Sequence, residues 1–345
     1  MKHTNLVRTT AKWSVSIAVG AVSVYASATT FTMSNWVPPT HFVTTNILNV
    51  WADNVELATN GRIKIRMLPK PVGSPPQHWE LARKGIADVT WGNFTYEPER
   101  FKSIWFAEFP LNGEDVQASS VALWQTYNEY LIHNDAYKGV KLLGVGTLGP
   151  GVINHGSVSV TSLDQLKNQK IRMGGPIQKV ILEEMGAIPV AAPATKTYEL
   201  IDGGVIDGSM NPIESVVSFR LTDVLNHHTK IPQGLYDGAF FLAMNEKKWN
   251  KLSEQDKAAI ESVSGETFAR LWGGVFQAQN DFAQSHLKDL GHDFPQPDQA
   301  LVDRVQTIQQ NLLTSWVNDG PSFQMEDPMN VFNFYRASYN AHAKR

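Results

Sequence analysis

Apolar and polar positions along the chain switch between two periods. Val43, Ile47, Val50, Trp51, Val55 and Ala58 recur at helical spacing and predict a helix over residues 41–58, closed by Asn60-Gly61. Arg62-Ile63-Lys64-Ile65-Arg66-Met67-Leu68 alternates residue by residue, the pattern of a strand with one polar face. A first strand is expected over Phe31–Trp36. A short helix (Trp79–Lys84), a buried strand (Ile86–Trp91), a long helix (Val116–Leu131) and a strand (Val140–Val145) then follow. A second round repeats the order, with strands at Lys170–Met173, Ala187–Val190 and Val205–Ser209 and helices at Ile177–Met185, Lys196–Ile201 and Ile213–Phe219. An apolar strand returns at Tyr236–Met244. Ser253, with acids in the turn behind it, starts a helical pattern that runs to Leu290, long enough for one helix over two lobes. Helices near Asp298–Leu312 and Asn330–Tyr339 are expected to pack on the second lobe. Alternation of this kind predicts an α/β fold with largely parallel sheets. A length of 345 residues exceeds one ordinary core, so two lobes are expected.

The first residues differ from the rest. Lys2, Arg8 and Lys12 carry the only charges, a weakly apolar run covers Trp13–Tyr25, and Ala26-Ser27-Ala28 follows. This is the make-up of a secretory signal peptide cut after Ala28, its apolar run too short to span a bilayer. Its removal leaves 27 Lys plus Arg against 33 Asp plus Glu, a net of −6, which disfavours nucleic acid as a partner. The chain has no cysteine, so it has neither disulfides nor a lipid-anchoring thiol. A freely diffusing periplasmic monomer fits both absences.

Catalytic signatures are missing. There is no Gly-x-Ser-x-Gly elbow, paired-His helical metal motif or phosphate-cradling glycine loop, so no cofactor is expected. His227-His228 are adjacent and cannot both face one metal, so they are expected to face solvent. What remains is a set of residues at strand ends, where α/β sheets bind ligands. Arg172 ends a strand and opens Met173-Gly174-Gly175-Pro176; its guanidinium suits either a carboxylate clamp or a surface ion pair. Asn211, before Pro212, could assist that clamp or cap the next helix. Trp36, Trp91 and Tyr236 could wall a cleft or fill the core. Asn93 lies on a strand exit and His41 at a helix start.

Several segments together resemble one family. Thr59-Asn60-Gly61-Arg62-Ile63, Gly85-Ile86-Ala87-Asp88-Val89, Glu108-Phe109-Pro110, Leu166-Lys167-Asn168-Gln169-Lys170-Ile171-Arg172, Gly186-Ala187-Ile188-Pro189-Val190 and Gly204-Val205-Ile206-Asp207-Gly208, with the export signal, resemble the solute receptors of tripartite ATP-independent periplasmic (TRAP) transporters. The segments are individually weak; their order across about 150 residues carries the resemblance.

The resemblance implies a two-lobed periplasmic binding protein fold with crossing strands, a long helix spanning both lobes and hinge closure around ligand. In that frame residues 29–147 and 236–275 form lobe I, residues 148–235 and 276–345 form lobe II, and the helix is residues 253–290. It also implies that Arg172 holds the ligand carboxylate with help from Asn211. Where many sugar-acid and dicarboxylate members carry a second arginine, this chain reads Leu148-Gly149-Pro150-Gly151-Val152-Ile153-Asn154, so the site is expected to neutralise one carboxylate. Ala194 stands where others place an aromatic ring, leaving room for a bulkier tail. Glu214 is the one acid near the site, which disfavours the metal used by the α-keto acid branch. Gly151, Asn154, Met173, Glu214 and His41 complete the candidate set. The expected function is capture of a small organic monocarboxylate, aromatic or branched, for the small and large TRAP membrane subunits. A sensor receptor feeding a signalling kinase is the alternative, and a periplasmic enzyme on the same scaffold the remoter one.

Overall fold

The computed structural model of the protein describes residue 1 and residues 28–344, so the expected leader lies outside the described residues apart from its two ends. Ten strands make two sheets. The first holds β1 (Thr29–Ser34), β2 (Ile63–Met67), β3 (Val89–Asn93), β4 (Val140–Thr147) and β10 (Ala239–Asn245) in the order β2-β1-β3-β10-β4. The second holds β5 (Gly151–His155), β6 (Lys170–Met173), β7 (Ile188–Ala191), β8 (Gly208–Pro212) and β9 (His227–Lys230) in the order β7-β6-β8-β5-β9. In each sheet the fourth strand is the antiparallel one, β10 between β3 and β4 and β5 between β8 and β9. Each of these arrives through a crossing segment from the other lobe. The two lobes are therefore built alike and tied by two adjacent connections, residues 148–150 and 231–238. The Asp237 carboxylate joins them by accepting from the backbone N–H groups of Leu148 (3.0 Å), Gly149 (2.9 Å) and Gly238 (2.7 Å).

The patterns explain most elements. β2 is an edge strand and keeps its alternation, with Ile63 buried and Lys64 and Arg66 exposed. β10 is buried at every position, as a central strand covered on both faces must be. Asp115, Ser253 and Asp298 each cap a helix by accepting a backbone N–H from Ala118, Asp256 and Leu301.

Three expectations are corrected. The pattern over 253–290 is two helices, Glu254–Ser262 and Gly265–Asp289, because Gly265 has a φ of +58°, a left-handed conformation that only glycine adopts freely, and so turns the chain. The second of them is the helix that spans both lobes. Its Phe268 and Trp272 pack in the first-lobe core, and its Ala283 and Leu287 pack with Val152, Ile213 and Leu225 of the second. The last helix, Pro328–His342, packs chiefly on the first-lobe helix Val116–Thr126 and only lightly on the helix Gln299–Asp319. Tyr339 Oη accepts from the N–H groups of Glu114 (3.0 Å) and Asp115 (3.1 Å), and Ser338 donates to Gln125 (2.7 Å). His227-His228 is strand β9, and His228 is fully buried, bonded to Asn154 Oδ1 (2.8 Å) and His292 Nδ1 (2.9 Å). Burial, then the neighbouring histidines, lowers its pKa to about 3, so it is a neutral core residue.

Candidate functional site

A cleft lies between the lobes, and Trp36, His41, Trp91, Asn93, Arg172, Asn211, Glu214 and Tyr236 all line it. These are eight of the eleven expected residues. They meet because β1, β3, β6 and β8 end towards the interface, and because Tyr236 sits in the crossing segment before β10.

Arg172 stands on β6 opposite Ser209 of β8, two residues from Asn211. It is 3% exposed. Its Nε donates to the Ala192 carbonyl (2.8 Å) and its Nη1 to the Met210 carbonyl (3.3 Å), and no carboxylate pairs with it among the described residues. This is a buried cation held in position by neutral groups, with donors left over, an arrangement whose chemistry suits an anion. Asn211 lies inside β8, and the following helix, Glu214–Ser218, starts beyond it with Ile213 at the cap position, so the capping alternative falls away. With its amide turned to satisfy both ends, Asn211 Oδ1 accepts from Arg172 Nη1 (3.3 Å) and its nitrogen donates to Ser209 and Met210. Asn211 thereby steadies the guanidinium.

Trp36 stacks on Trp91 with centroids 4.4 Å apart, and Trp91 Nε1 donates to Asn35 Oδ1 (2.9 Å). Each tryptophan thus serves as cleft wall and core at once. Tyr236 is buried, which drives its hydroxyl pKa upward and keeps it neutral. Asn93 accepts the Thr95 N–H (3.0 Å) and fixes the loop that carries Thr95 and Tyr96.

Three expected residues do other work. Asn154 is buried under β5, its Nδ2 donating to the carbonyls of Val152, Ser209 and Asn211 (3.3, 3.2 and 3.0 Å), which binds the sheet together. Gly151 leaves room for the Tyr236 ring, which any Cβ at that position would overlap. Met173 faces a separate outer groove with Pro176 and Pro193. Conversely Tyr96, Gln178, Phe219, Phe240 and Phe276 line the cleft without having been expected there, whereas Ala194 lines it as a small residue should.

Glu214 is buried and accepts from the hydroxyls of Ser215 (2.7 Å) and Ser218 (2.8 Å). Burial pushes its carboxyl up to about 7 from an ordinary 4.5, the two hydroxyls opposing that rise. An acid raised in the fold is cheapest while protonated, so its contribution to stability is present below about pH 4.5 and is lost as pH rises through 7. Glu214→Gln is therefore expected to gain stability relative to the parent between pH 5 and pH 8, read from urea midpoints. A constant difference across that range would show that burial does not govern this carboxyl. Among the described residues no group of three or more His, Cys, Asp or Glu is placed to hold a metal.

Residues 33–316 match the bacterial extracellular solute-binding protein family 7. The chain belongs to this family. A solved TRAP periplasmic solute binding protein from Bordetella bronchiseptica, with bound (R)-mandelate and (S)-mandelate, is 33% identical and superposes with a TM-score of 0.88 over 91% of this chain and all of that one. A TRAP solute binding protein from Rhodoferax ferrireducens in complex with copurified benzoate is 25% identical, with a TM-score of 0.84 over 91% of this chain and 98% of that one. A curated relative from Comamonas testosteroni, outer membrane transporter protein TsaT, is 28% identical over 93% of this chain and 95% of its own length. The chain is thus a two-lobed substrate-binding receptor of TRAP type.

Proposed function

We propose that this family 7 receptor captures an aromatic monocarboxylate of about the size of benzoate or mandelate, closing its lobes over it. The observation that carries the proposal is the Arg172 guanidinium, buried without a counter-anion at the floor of a cleft walled by stacked tryptophans and phenylalanines. One cation calls for one carboxylate, since a buried charge is tolerated best when paired and hydrogen-bonded. Flat aromatic walls call for a flat apolar body. The mandelate and benzoate bound to two relatives of similar fold support the same class.

In this reading Arg172 and Asn211 hold the acid, and Trp36, Trp91, Asn93 and Tyr236 close around it with no bond made or broken. The receptor acts in the periplasm as a monomer once its leader is cut after Ala28, and lobes I and II turn on the two crossing segments. The closed form then docks on the small and large TRAP membrane subunits. Among the described residues no helix is long and apolar enough to cross a membrane.

A thermal-shift panel tests this. Benzoate, phenylacetate or mandelate at 100 times its dissociation constant adds about 2.7 kcal/mol to stability and raises the melting midpoint by several degrees. Acetate and uncharged benzamide leave it unmoved. A shift with benzamide equal to that with benzoate, or none with any aromatic acid, refutes the proposal.

A further inference from the structure

A guanidinium has five N–H groups, one on Nε and two on each Nη nitrogen. At Arg172 most of them are spent inside the second lobe. Nε donates to the Ala192 carbonyl (2.8 Å), and Nη1 donates to the Met210 carbonyl and to Asn211 Oδ1, each at 3.3 Å. Nη2 remains, and it meets no acceptor among the described residues. A carboxylate gripped as a fork needs two guanidinium nitrogens side by side. With one nitrogen free, Arg172 can hold one oxygen of a bound acid, and the second oxygen needs a donor from another residue.

Gln178 stands beside that nitrogen. It is the third residue of the helix Pro176–Glu184, half-buried, and lines the cleft together with Arg172 and Gly174. Its Oε1 accepts the Gly174 N–H, which holds the amide against the turn that follows β6. Its Nε2 keeps two N–H groups that meet no acceptor among the described residues. One point measures how close the two side chains come. A Cβ built on Gly174 would lie 3.2 Å from Arg172 Nη2 and 3.4 Å from Gln178 Oε1. Glycine leaves that notch open, between a cation and a neutral amide.

We infer that Gln178 is a second carboxylate-holding residue, its amide Nε2 taking one oxygen of the bound acid while Arg172 Nη2 takes the other, over the notch at Gly174. This rests on the monocarboxylate reading and deepens it. An amide suits the task because it adds a donor without adding charge, so the site still neutralises one carboxylate and no more.

Gln178→Glu separates this role from a purely structural one. The new carboxylate can still accept the Gly174 N–H, so a residue that merely held the turn would leave ligand affinity at the parental value. In the inferred arrangement it repels the ligand carboxylate and gives Arg172 Nη2 the counter-charge it lacks. Calorimetry with the tightest binder among benzoate, phenylacetate and mandelate should show a Kd about a hundredfold higher. Urea titration of the ligand-free variant should place its midpoint above that of the parent. Gln178→Leu, which loses the donor and adds no charge, should weaken the same acid about tenfold. If Gln178→Glu does not fold, Gly174→Ala decides alone, since its methyl group fills the notch and is expected to weaken binding about tenfold or more. A parental Kd in whichever of these two variants folds, or weaker binding in Gln178→Glu without a higher midpoint, overturns the inference. If Arg172→Ala nevertheless abolishes binding, the monocarboxylate reading stands. Failure of the parent to bind any of the three acids overturns both.

Discussion

Arg172→Ala is expected to abolish measurable binding of the aromatic acid while leaving the ligand-free fold as stable as the parent or more so. The two halves of this result have one cause. The guanidinium is 3% exposed and bonded only to neutral carbonyls, so without a ligand it is a buried charge with no counter-charge, a cost to the fold. With the carboxylate in place it becomes half of a buried ion pair. Removing one partner of such a pair costs about 3–5 kcal/mol, which is a loss of roughly two to nearly four orders of magnitude in Kd. Arg172→Lys keeps the charge but cannot reproduce the planar fork that reaches two carbonyls and still offers donors, and it should fall between the two. Calorimetry gives the affinities and a urea titration the stabilities. A Kd for Arg172→Ala within tenfold of the parent would show that the carboxylate is held elsewhere.

The parts of this molecule that were legible in the sequence are those where local pattern and tertiary role agree. β2 alternates because it is an edge strand with one wet face, and β6 was read at its observed ends because the Gly174-Gly175-Pro176 turn stops it. β5 and β9 were not read. Gly151–His155 and His227–Lys230 are short and partly polar, and they become strands only because Asn154, His155 and His228 find partners across the sheet and beyond it. The same cause misplaced the histidine pair. A polar residue looks like surface until its hydrogen bonds are known.

The site divides along the same line. Arg172, Asn211, Trp36 and Trp91 lie on or just past strands whose ends could be anticipated, and they meet in the cleft. Phe219, Phe240 and Phe276 reach it from a helix end, an antiparallel strand and the spanning helix, and only the packing of lobe on lobe decides which of their faces looks inward. Asn154 and Gly151 were expected because they sit where a second arginine stands in other receptors. Position along the chain put them near the site, but the Asn154 side chain is turned into the sheet and Gly151 offers only the space that the Tyr236 ring fills.

Gly175→Ala is expected to weaken ligand binding about 5- to 150-fold without altering the melting midpoint of the ligand-free protein, and Gly175→Val to weaken it further. Gly175 caps the second-lobe helix Pro176–Glu184 with a φ of −162°, extended backbone that any residue adopts, so the substitution strains nothing within its own lobe. The obstacle is the other lobe. A Cβ on Gly175 would overlap Thr95 Oγ1 and lie 2.8 Å from Thr95 Cβ, a contact that turning the hydroxyl cannot relieve. Beside it Ala194 N–H donates to Tyr96 Oη at 3.4 Å, so this seam is where the lobes meet when shut. Holding them apart lowers the fraction of molecules able to enclose ligand, and apparent affinity falls by that fraction. Small-angle scattering should show a reduced contraction on ligand addition, and Thr95→Gly placed in the Gly175→Ala background should restore both contraction and affinity, since it removes the carbon that the new Cβ strikes. Parental affinity in Gly175→Val would mean that ligand is held without this seam closing, and that the hinge serves delivery and not capture.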